Sequence, residues 1–286
     1  MKTIVITGAT SGIGLATARI LTQRGYSVLG IGHSEENCER AKQDLISENP
    51  KANIRFFSAD LMQQREVDGV AEQIAACLRS DGDGELFALI LNAGCVRSWY
   101  ATTEEGYEQQ FALNHLSGFL LTYRLLPFLQ KAGGRVLITG SNSHKGIRVH
   151  WDDVMLRRGY NPLTAYKQSK LCNLLFAKAL NDHYPEYGIR AYVVDPGLVN
   201  TNIGNKKTGT LVNRFWSLHK RRGDPPAVPA RTYAFLCEWE RQPEGLYYYH
   251  CKEAAYSGQV TGENANRLFA LSERLCGISY SGEGNA

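Results

Sequence analysis

Short runs of apolar and β-branched residues alternate along the chain with longer segments in which apolar residues recur every third or fourth position. The short runs are typical of buried strands, and the longer segments are typical of amphipathic helices. The strands are predicted at residues 3–7, 27–32, 53–58, 86–91, 135–139 and 189–195, and the helices at residues 12–24, 36–48, 64–79, 107–130 and 164–183. Parallel strands need crossover helices, which cover both faces of the sheet. The pattern therefore predicts a doubly wound α/β fold with a parallel sheet and three layers, αβα.

Two long stretches interrupt this alternation, near residues 144–162 and 203–228. Each follows a predicted strand and therefore lies at the carboxyl edge of the sheet, where open α/β sheets bind their ligands. Long loops in compact domains are often functional. We expect these two stretches, together with residues 96–100, to face the substrate.

The last part of the chain returns to regular structure. It predicts a helix at residues 229–241, a short strand near residues 255–258 and a closing helix at residues 264–275. No linker, repeat or low-complexity tract divides the chain. Residues 1–286 are therefore expected to form a single domain.

Composition and charge exclude several classes of protein. A strand begins within the first residues and no later apolar stretch is long enough to span a bilayer, so we expect a cytoplasmic protein without an integral membrane segment. Seven scattered cysteines predict reduced thiols and no metal site. The net charge of +4 is small, so we expect no nucleic-acid partner. The sequence leaves open whether the protein forms a homo-oligomer. Basic clusters at residues 206–207 and 220–222 are typical of a solvated loop, although a basic rim could also attract an anionic substrate or a cofactor phosphate.

The turn after the first strand has the composition of a phosphate-binding loop. It reads Thr7-Gly8-Ala9-Thr10-Ser11-Gly12-Ile13-Gly14 and leads directly into an amphipathic helix. Glycines at these positions allow a tight turn and a close approach of the backbone to a pyrophosphate, and the N-terminus of the helix attracts its negative charge. This context predicts a dinucleotide-binding Rossmann fold, with phosphate contacts from Gly8, Ser11, Gly12, Ile13 and Gly14.

The end of the second strand decides between the two nicotinamide dinucleotides. An acidic residue there would hold the adenosine 2′-hydroxyl and repel a 2′-phosphate. The strand ends instead in His33-Ser34, which could hydrogen-bond a phosphate, while Glu35 and Glu36 belong to the first turn of the next helix. NADP(H) is therefore favoured, and NAD(H) stays open. Further cofactor contacts are expected after the third and fourth strands, from Asp60, Leu61, Asn92, Ala93 and Gly94. Asp60 could equally cap the helix that follows it.

Tyr166 and Lys170 are the candidate catalytic pair. They are four residues apart in a predicted helix and therefore share one face of it. A carbonyl that accepts a hydride becomes an alkoxide and needs a proton, and a neighbouring ammonium would lower the pKa of a tyrosine from its usual value near ~10. Ser141, after the fifth strand, could donate a hydrogen bond to the developing oxyanion, and Ser143 is the rival for that role.

In this order along the chain, the motifs Thr-Gly-x-x-x-Gly-Ile-Gly, Asn-Ala-Gly, Asn114, Ser141, Tyr-x-x-x-Lys and Pro-Gly-x-x-x-Thr resemble the short-chain dehydrogenase/reductase family. The resemblance implies an oxidoreductase that interconverts an aldehyde or ketone and an alcohol. It assigns catalysis to Ser141, Tyr166 and Lys170, and a proton-relay water to Asn114. It also implies that Lys170 contacts the nicotinamide ribose, together with cofactor contacts from Tyr166 and from the turn containing Pro196, Gly197, Val199 and Thr201.

A narrower resemblance links the chain to the branch of the retinol dehydrogenases and the protochlorophyllide reductases. It is carried by the long insert between Ser141 and Tyr166, by the run from Tyr166 to Leu175 and by the segment 266–277. It implies NADP(H) and a bulky apolar aldehyde or ketone. The alternative is a catalytically silent dinucleotide-binding sensor or interaction protein on the same fold.

Overall fold

A computed structural model describes residues 1–80, 83–199, 223–238 and 244–280. Its strands form one sheet in the order β3-β2-β1-β4-β5-β6-β7-β8, in which the first seven strands are parallel and β8 is antiparallel to β7. The strands are β1 (Thr3–Thr7), β2 (Ser27–Gly32), β3 (Ile54–Ser58), β4 (Ala88–Leu91), β5 (Arg135–Thr139), β6 (Arg190–Asp195), β7 (Tyr247–Tyr249) and β8 (Lys252–Glu253). The reversal of strand order between β1 and β4 confirms the doubly wound sheet.

Helices cover both faces of this sheet. They are α1 (Gly12–Gln23), α2 (Glu35–Glu48), α3 (Gln64–Ser80), α4 (Gln109–Phe111), α5 (Ser117–Ala132), α6 (Pro162–His183), α7 (Ala227–Glu238) and α8 (Gly262–Cys276), with a π-helical segment (Ala112–Leu116) between α4 and α5. Successive side chains of a strand point to opposite faces. Val5 accordingly packs in a core with α3, α5, α6 and α8, whereas Ile4 and Ile6 pack in a second core with α1 and α7. The three-layer αβα prediction is confirmed.

The ends of most elements agree with the sequence pattern within one or two residues. The predicted helix 107–130 is an exception because it begins at Gln109 and is interrupted by the π-helical segment. The predicted helix 229–241 is observed over Ala227–Glu238, and residues 239–241 lie outside the described part of the chain. Single-domain organisation stays a prediction.

The predicted strand near residues 255–258 is wrong. Those residues have no regular structure, and the strand beside β6 is formed by Tyr247, Tyr248 and Tyr249 instead. Tyr247 and Tyr248 are 1% and 4% exposed, and they pack in the two opposite cores. Tyr247 and Tyr248 therefore bury apolar surface on both faces of the sheet, whereas Tyr256 in the segment 255–258 is 40% exposed.

The insert at residues 144–162 packs against α6. Val154, Met155 and Leu156 are buried in it, and Gln168 of α6 holds it by accepting from the His150 N–H (2.9 Å) and donating to the Val154 carbonyl (2.8 Å). Of the second expected substrate loop, residues 203–222 lie outside the described part. In the part of the chain that the structure describes, no helix is both long and apolar enough to cross a bilayer. Cytoplasmic location stays a prediction.

Candidate active site

The predicted phosphate-binding turn joins β1 to α1. Gly8 and Gly12 have φ values of +65° and +54°, which side-chain-bearing residues rarely adopt. A Cβ on Gly14 would lie 2.2 Å from the Gly8 carbonyl oxygen, so only glycine lets α1 begin this close to β1. Ser11 is the N-cap of α1 and its side chain makes no capping hydrogen bond. The first N–H groups of α1 are therefore available to a phosphate, and Ile13 packs against the core behind them.

Asn92 ties the ends of β1 and β4 together. Its side chain donates to the carbonyls of Thr7 (3.1 Å) and Gly8 (3.3 Å). In return the Thr7 hydroxyl accepts from the N–H groups of Asn92 and Ala93, both at 2.9 Å. Thr7 was missed at the sequence level, although it directly precedes the glycine turn. The hydrogen bonds between Thr7 and Asn92 fix the backbone surface against which a flat ligand would lie.

At the end of β2, His33 and Ser34 have different surroundings. The Ser34 hydroxyl accepts from the N–H of Asn37 (3.4 Å) and caps α2. His33 is exposed, and its Nδ1 lies 3.7 Å from a carboxylate oxygen of Asp60. The second strand indeed ends without an acidic residue, but the neighbouring strand brings a carboxylate to the same place. Leu61 is buried next to it, 7% exposed.

Tyr166 and Lys170 lie on adjacent turns of α6. The helix begins at Pro162 because Asn161 caps it, accepting from the N–H groups of Leu163 (2.9 Å) and Thr164 (3.1 Å). Lys170 is 3% exposed, and its Nζ lies 5.6 Å from the centre of the Tyr166 ring. The same Nζ donates to the carbonyl of Thr139 at 3.0 Å, which anchors the helix to the end of β5.

Ser141, rather than Ser143, is the partner of Tyr166. The side chains of Ser141 and Tyr166 are hydrogen-bonded. Ser143 instead donates its hydroxyl to Ser141 Oγ (3.0 Å), and its N–H points to the same oxygen (3.2 Å). The geometry therefore places Ser143 behind Ser141.

Burial controls the acid-base properties of the pair. It raises the pKa of Tyr166 to about 12, and the hydrogen bond from Ser141 offsets only part of this effect. Burial also lowers the pKa of Lys170 to about 8. We expected the Lys170 ammonium to lower the pKa of Tyr166; the structure shows instead that desolvation dominates. At neutral pH Tyr166 is protonated and Lys170 is still largely charged.

Asn114 lies in the π-helical segment, and both polar atoms of its side chain are hydrogen-bonded. Its Oδ1 accepts from the Cys95 N–H (2.7 Å), and its Nδ2 donates to the Cys95 carbonyl and to Ser169 Oγ, both at 3.0 Å. A Cβ on Gly94 would lie 3.0 Å from Asn114 Oδ1 and 3.9 Å from Lys170 Nζ. Glycine at position 94 therefore lets Asn114 and Lys170 approach one strand end.

The turn after β6 closes the other side of the site. Gly197 has a φ of +68°, and its N–H donates to a carboxylate oxygen of Asp195 (2.9 Å). Pro196 begins this turn, and Val199 ends it in a bridge to Asp224. Thr201 lies outside the described residues.

His144 was also missed at the sequence level. It is fully buried, and burial lowers its pKa. Its Nε2 accepts from the Ser257 N–H (3.1 Å), so the proton is on Nδ1 and is donated to the Ser141 carbonyl (2.7 Å). A neutral histidine thus fixes the loop that carries Ser141. No motif in the sequence separates it from the polar residues around it.

Taken by strand, the described site residues all lie at the carboxyl edge of the sheet. Asp60 follows β3, His33 follows β2, the glycine turn follows β1, Asn92 follows β4, Ser141 follows β5 and Pro196 follows β6. They form one continuous edge across the point where the strand order reverses, which is where such sheets bind dinucleotides.

Comparisons with known proteins agree with this geometry. The family model of the short chain dehydrogenases matches residues 2–211. Human retinol dehydrogenase 13 is 33% identical, over 97% of this chain and 85% of its own length. Mouse retinol dehydrogenase 12 is 31% identical, over 98% and 87%.

Solved structures share the fold. A crystal structure of an uncharacterized protein from Mycobacterium Paratuberculosis superposes with a TM-score of 0.74, at 27% identity, and covers 98% of this chain and 95% of that one. An alcohol dehydrogenase from the archaeon Thermococcus sibiricus, complexed with 5-hydroxy-NADP, has a TM-score of 0.67 at 21% identity and covers 90% of this chain and all (100%) of that one.

Proposed function

The chain belongs to the short-chain dehydrogenase/reductase family, in the branch of the retinol dehydrogenases, and from that membership we propose that it interconverts an aldehyde or ketone and an alcohol with NADP(H), using Tyr166 as the general acid and base. Membership makes it an NAD(P)-dependent oxidoreductase. The proposed role of Tyr166 as general acid and base is supported by its hydrogen bond with Ser141 and by buried Lys170, which lies one turn further along α6.

The residues at the sheet edge fit a dinucleotide. The uncapped N-terminus of α1 and the close packing that glycine allows at position 14 suit a pyrophosphate, which Gly8, Ser11, Gly12, Ile13 and Gly14 would hold. The adenosine end would lie against His33, Ser34, Asp60 and Leu61, and the nicotinamide end against Asn92, Ala93, Gly94, Tyr166, Lys170, Pro196, Gly197 and Val199. When bound, the nicotinamide gives or accepts the hydride.

The protein's own side chains handle the proton. In reduction, Ser141 donates a hydrogen bond to the carbonyl oxygen and stabilises its developing negative charge. Tyr166, which burial keeps protonated at neutral pH, transfers its proton to that oxygen. Below its pKa of about 8, Lys170 is charged and stabilises the phenolate that remains. Asn114 would hold the water from which the pair recovers its proton.

The NADP(H) preference depends on His33. Its ring is exposed, and Nδ1 lies 3.7 Å from a carboxylate oxygen of Asp60, at the strand end where a 2′-phosphate would sit. A hydrogen-bond donor there favours a phosphate, and it also offsets the repulsion from Asp60. The nearby Ser34 hydroxyl supplies a second polar contact, whereas Glu35 and Glu36 are exposed in the first turn of α2.

Replacing His33 with alanine should weaken NADPH binding about tenfold, equivalent to about 1.4 kcal/mol, and leave NADH binding nearly unchanged. The variant removes the donor and leaves Asp60 facing the phosphate. Fluorescence titration of both reduced cofactors measures the ratio. Glu36→Gln is the matched control on the same surface. A NADPH-to-NADH ratio that is constant in His33→Ala, or that changes as much in Glu36→Gln, would contradict the assignment.

An apolar substrate fits the surface around the pair. Trp99, Tyr100 and Leu163 are exposed large hydrophobic residues, and the rings of Tyr100 and Tyr160 meet edge to face with centres 5.6 Å apart. The insert that carries Tyr160 is fixed to the start of α4 because Tyr160 donates to Glu108 (3.0 Å) and accepts from Gln110 (2.7 Å). Curated relatives are retinol dehydrogenases, so retinal is the first aldehyde to try.

The deciding experiment compares NADPH and NADH oxidation over a panel of aldehydes, ketones and quinones that differ in size and charge, with retinal included. We expect turnover of at least one bulky apolar aldehyde or ketone, with NADPH preferred. Cofactor binding without reduction of any member would favour the catalytically silent sensor instead.

A further inference from the structure

We propose that Asp195 is a positioning residue of this site: its carboxylate, buried at the end of β6, supplies a fixed negative charge that favours the protonated form of both Tyr166 and Lys170. The inference rests on the proposed function, in which these two groups handle the proton. Asp195 does not touch the reacting atoms in this scheme and acts only through the pair.

The alternation of β6 shows which side of the sheet Asp195 faces. Val193 packs in the core shared with α6, and Val194 packs in the opposite core shared with α7. Because side chains alternate along a strand, Asp195 lies on the face of Val193. That face is covered by the helix that carries Tyr166 and Lys170.

Two neutral donors hold the carboxylate in place. The Tyr247 hydroxyl donates to Oδ2 at 2.6 Å, and the Gly197 N–H donates to Oδ1 at 2.9 Å. Asp195 is 6% exposed, so little water screens it. Because both donors are uncharged, they fix the position of the negative charge without neutralising it, and its field acts on nearby groups through a poorly polarisable interior.

The strand register puts Asp195 next to the pair. Thr139 is the register partner of Val194, so Asp195 lies beside Gly140, one residue before Ser141. Lys170 Nζ is bound to the Thr139 carbonyl at 3.0 Å, and Tyr166 is bound to Ser141. The ring of Tyr247 lies against Gly140, where a Cβ would approach it to 3.4 Å. Asp195 therefore lies close to Thr139, to which Lys170 is bound, and to Ser141, to which Tyr166 is bound.

The direction of the electrostatic effect is the same for both groups. Burial is the largest cause of the raised pKa of Tyr166; Ser141 lowers that pKa and Asp195 raises it. Burial is also the largest cause of the lowered pKa of Lys170, and Cys95 and then Asp195 act against it by raising that pKa. Titratable groups face the pair from every packed element, namely Cys95 after β4, His144 after β5, Asp195 on β6, Tyr233 on α7 and Tyr247 on β7. Among these described groups Asp195 is the one carboxylate.

The test follows the titration of Lys170 directly. Lysines labelled with carbon-13 next to the amine report their own protonation by NMR, and loss of one signal in Lys170→Met assigns it. In Asp195→Asn, which keeps the shape and can still accept one hydrogen bond, the midpoint should fall by about one pH unit. Asp195→Ser removes the same charge in a different shape and should give the same direction. Asp182→Asn removes an exposed carboxylate from α6, about 18 Å beyond Lys170, and should leave the midpoint unchanged.

A second readout is the pH profile of kcat/KM for carbonyl reduction, whose alkaline limb should move to lower pH in both Asp195 variants. A Lys170 midpoint that stays at the wild-type value in either folded variant overturns the inference. The titration needs no turnover, so a wild-type protein that reduces nothing would refute the proposed function while the NMR result still decides the role of Asp195.

Discussion

Replacing Tyr166 with phenylalanine should lower kcat for carbonyl reduction by about 10²–10⁴-fold, because the site then has no group placed to protonate the alkoxide. The change removes one oxygen from a ring that is packed against Lys170, with Nζ 5.6 Å from its centre. Ser141 keeps the two hydrogen bonds that its Oγ accepts from Ser143, so the loop after β5 should keep its position. NADPH affinity should stay nearly the same, because the glycine turn is untouched.

Steady-state kinetics with the best substrate of the panel, together with cofactor titration, measure both effects. Tyr184→Phe is the matched control, since its hydroxyl makes only a long hydrogen bond (3.5 Å) to the Tyr280 carbonyl on the other side of the fold. We expect that control to keep wild-type kcat. Turnover retained in Tyr166→Phe would remove Tyr166 from the mechanism, and equal losses in both variants would point to a general loss of structure.

The local pattern was sufficient for the fold and for the position of most of the site. The glycine turn requires its residue types because of backbone geometry, and residues four apart share a face of a helix regardless of what surrounds them. The strand-ending positions of Asp60, Asn92 and Ser141 follow from the alternation of strands and helices, which puts all carboxyl ends at one edge.

What the sequence could not show depends on contacts between distant segments. The meeting of His33 with Asp60 is set by the register of β2 and β3, in which Gly32 is paired with Ser58. The choice of Ser141 over Ser143 depends on how the loop after β5 folds back, and a buried His144 bound to Ser257 fixes that loop. None of these pairings leaves a periodic signal in either segment.

Contacts between distant segments also explain the pKa of Tyr166, which the sequence predicts to be lowered by Lys170 and which burial raises instead. A neighbouring lysine lowers the pKa of a tyrosine where water surrounds both, but on α6 Lys170 is 3% exposed and Tyr166 is only partly exposed. In that environment the charged form of each group is disfavoured, so the pKa of the tyrosine rises to about 12 and that of the lysine falls to about 8. Burial is a property of the assembled fold, and four-residue spacing carries no information about it.

Replacing Lys170 with methionine should abolish turnover and, at the same time, raise the free energy of unfolding. The ammonium has a pKa of about 8 in the folded protein against a usual value of 10.5, because burial disfavours its charge. At neutral pH the buried charge therefore destabilises the fold by about 3 kcal/mol relative to a neutral group, at 1.36 kcal/mol for each pKa unit. Methionine has a similar length and no charge. Its neighbour Asn173 still donates to the Thr139 carbonyl at 3.1 Å, so that carbonyl keeps a partner.

The pH dependence of the stability gained in Lys170→Met shows whether the gain comes from removing the buried charge. Between about pH 8 and about pH 10.5 the unfolded chain still binds the lysine proton while the folded protein has released it, so the wild type becomes more stable relative to the variant as pH rises. The advantage of Lys170→Met should thus be full below pH 8 and nearly gone above about pH 10.5. Urea unfolding of both proteins at several pH values measures it, and the difference between them cancels the titration of every other group. Lys178→Met, at a partly exposed lysine paired with Asp182 on the same helix, should show no such gain. A Lys170→Met protein that is less stable than the wild type at neutral pH would show that the hydrogen bond to Thr139 outweighs the desolvation of the charge.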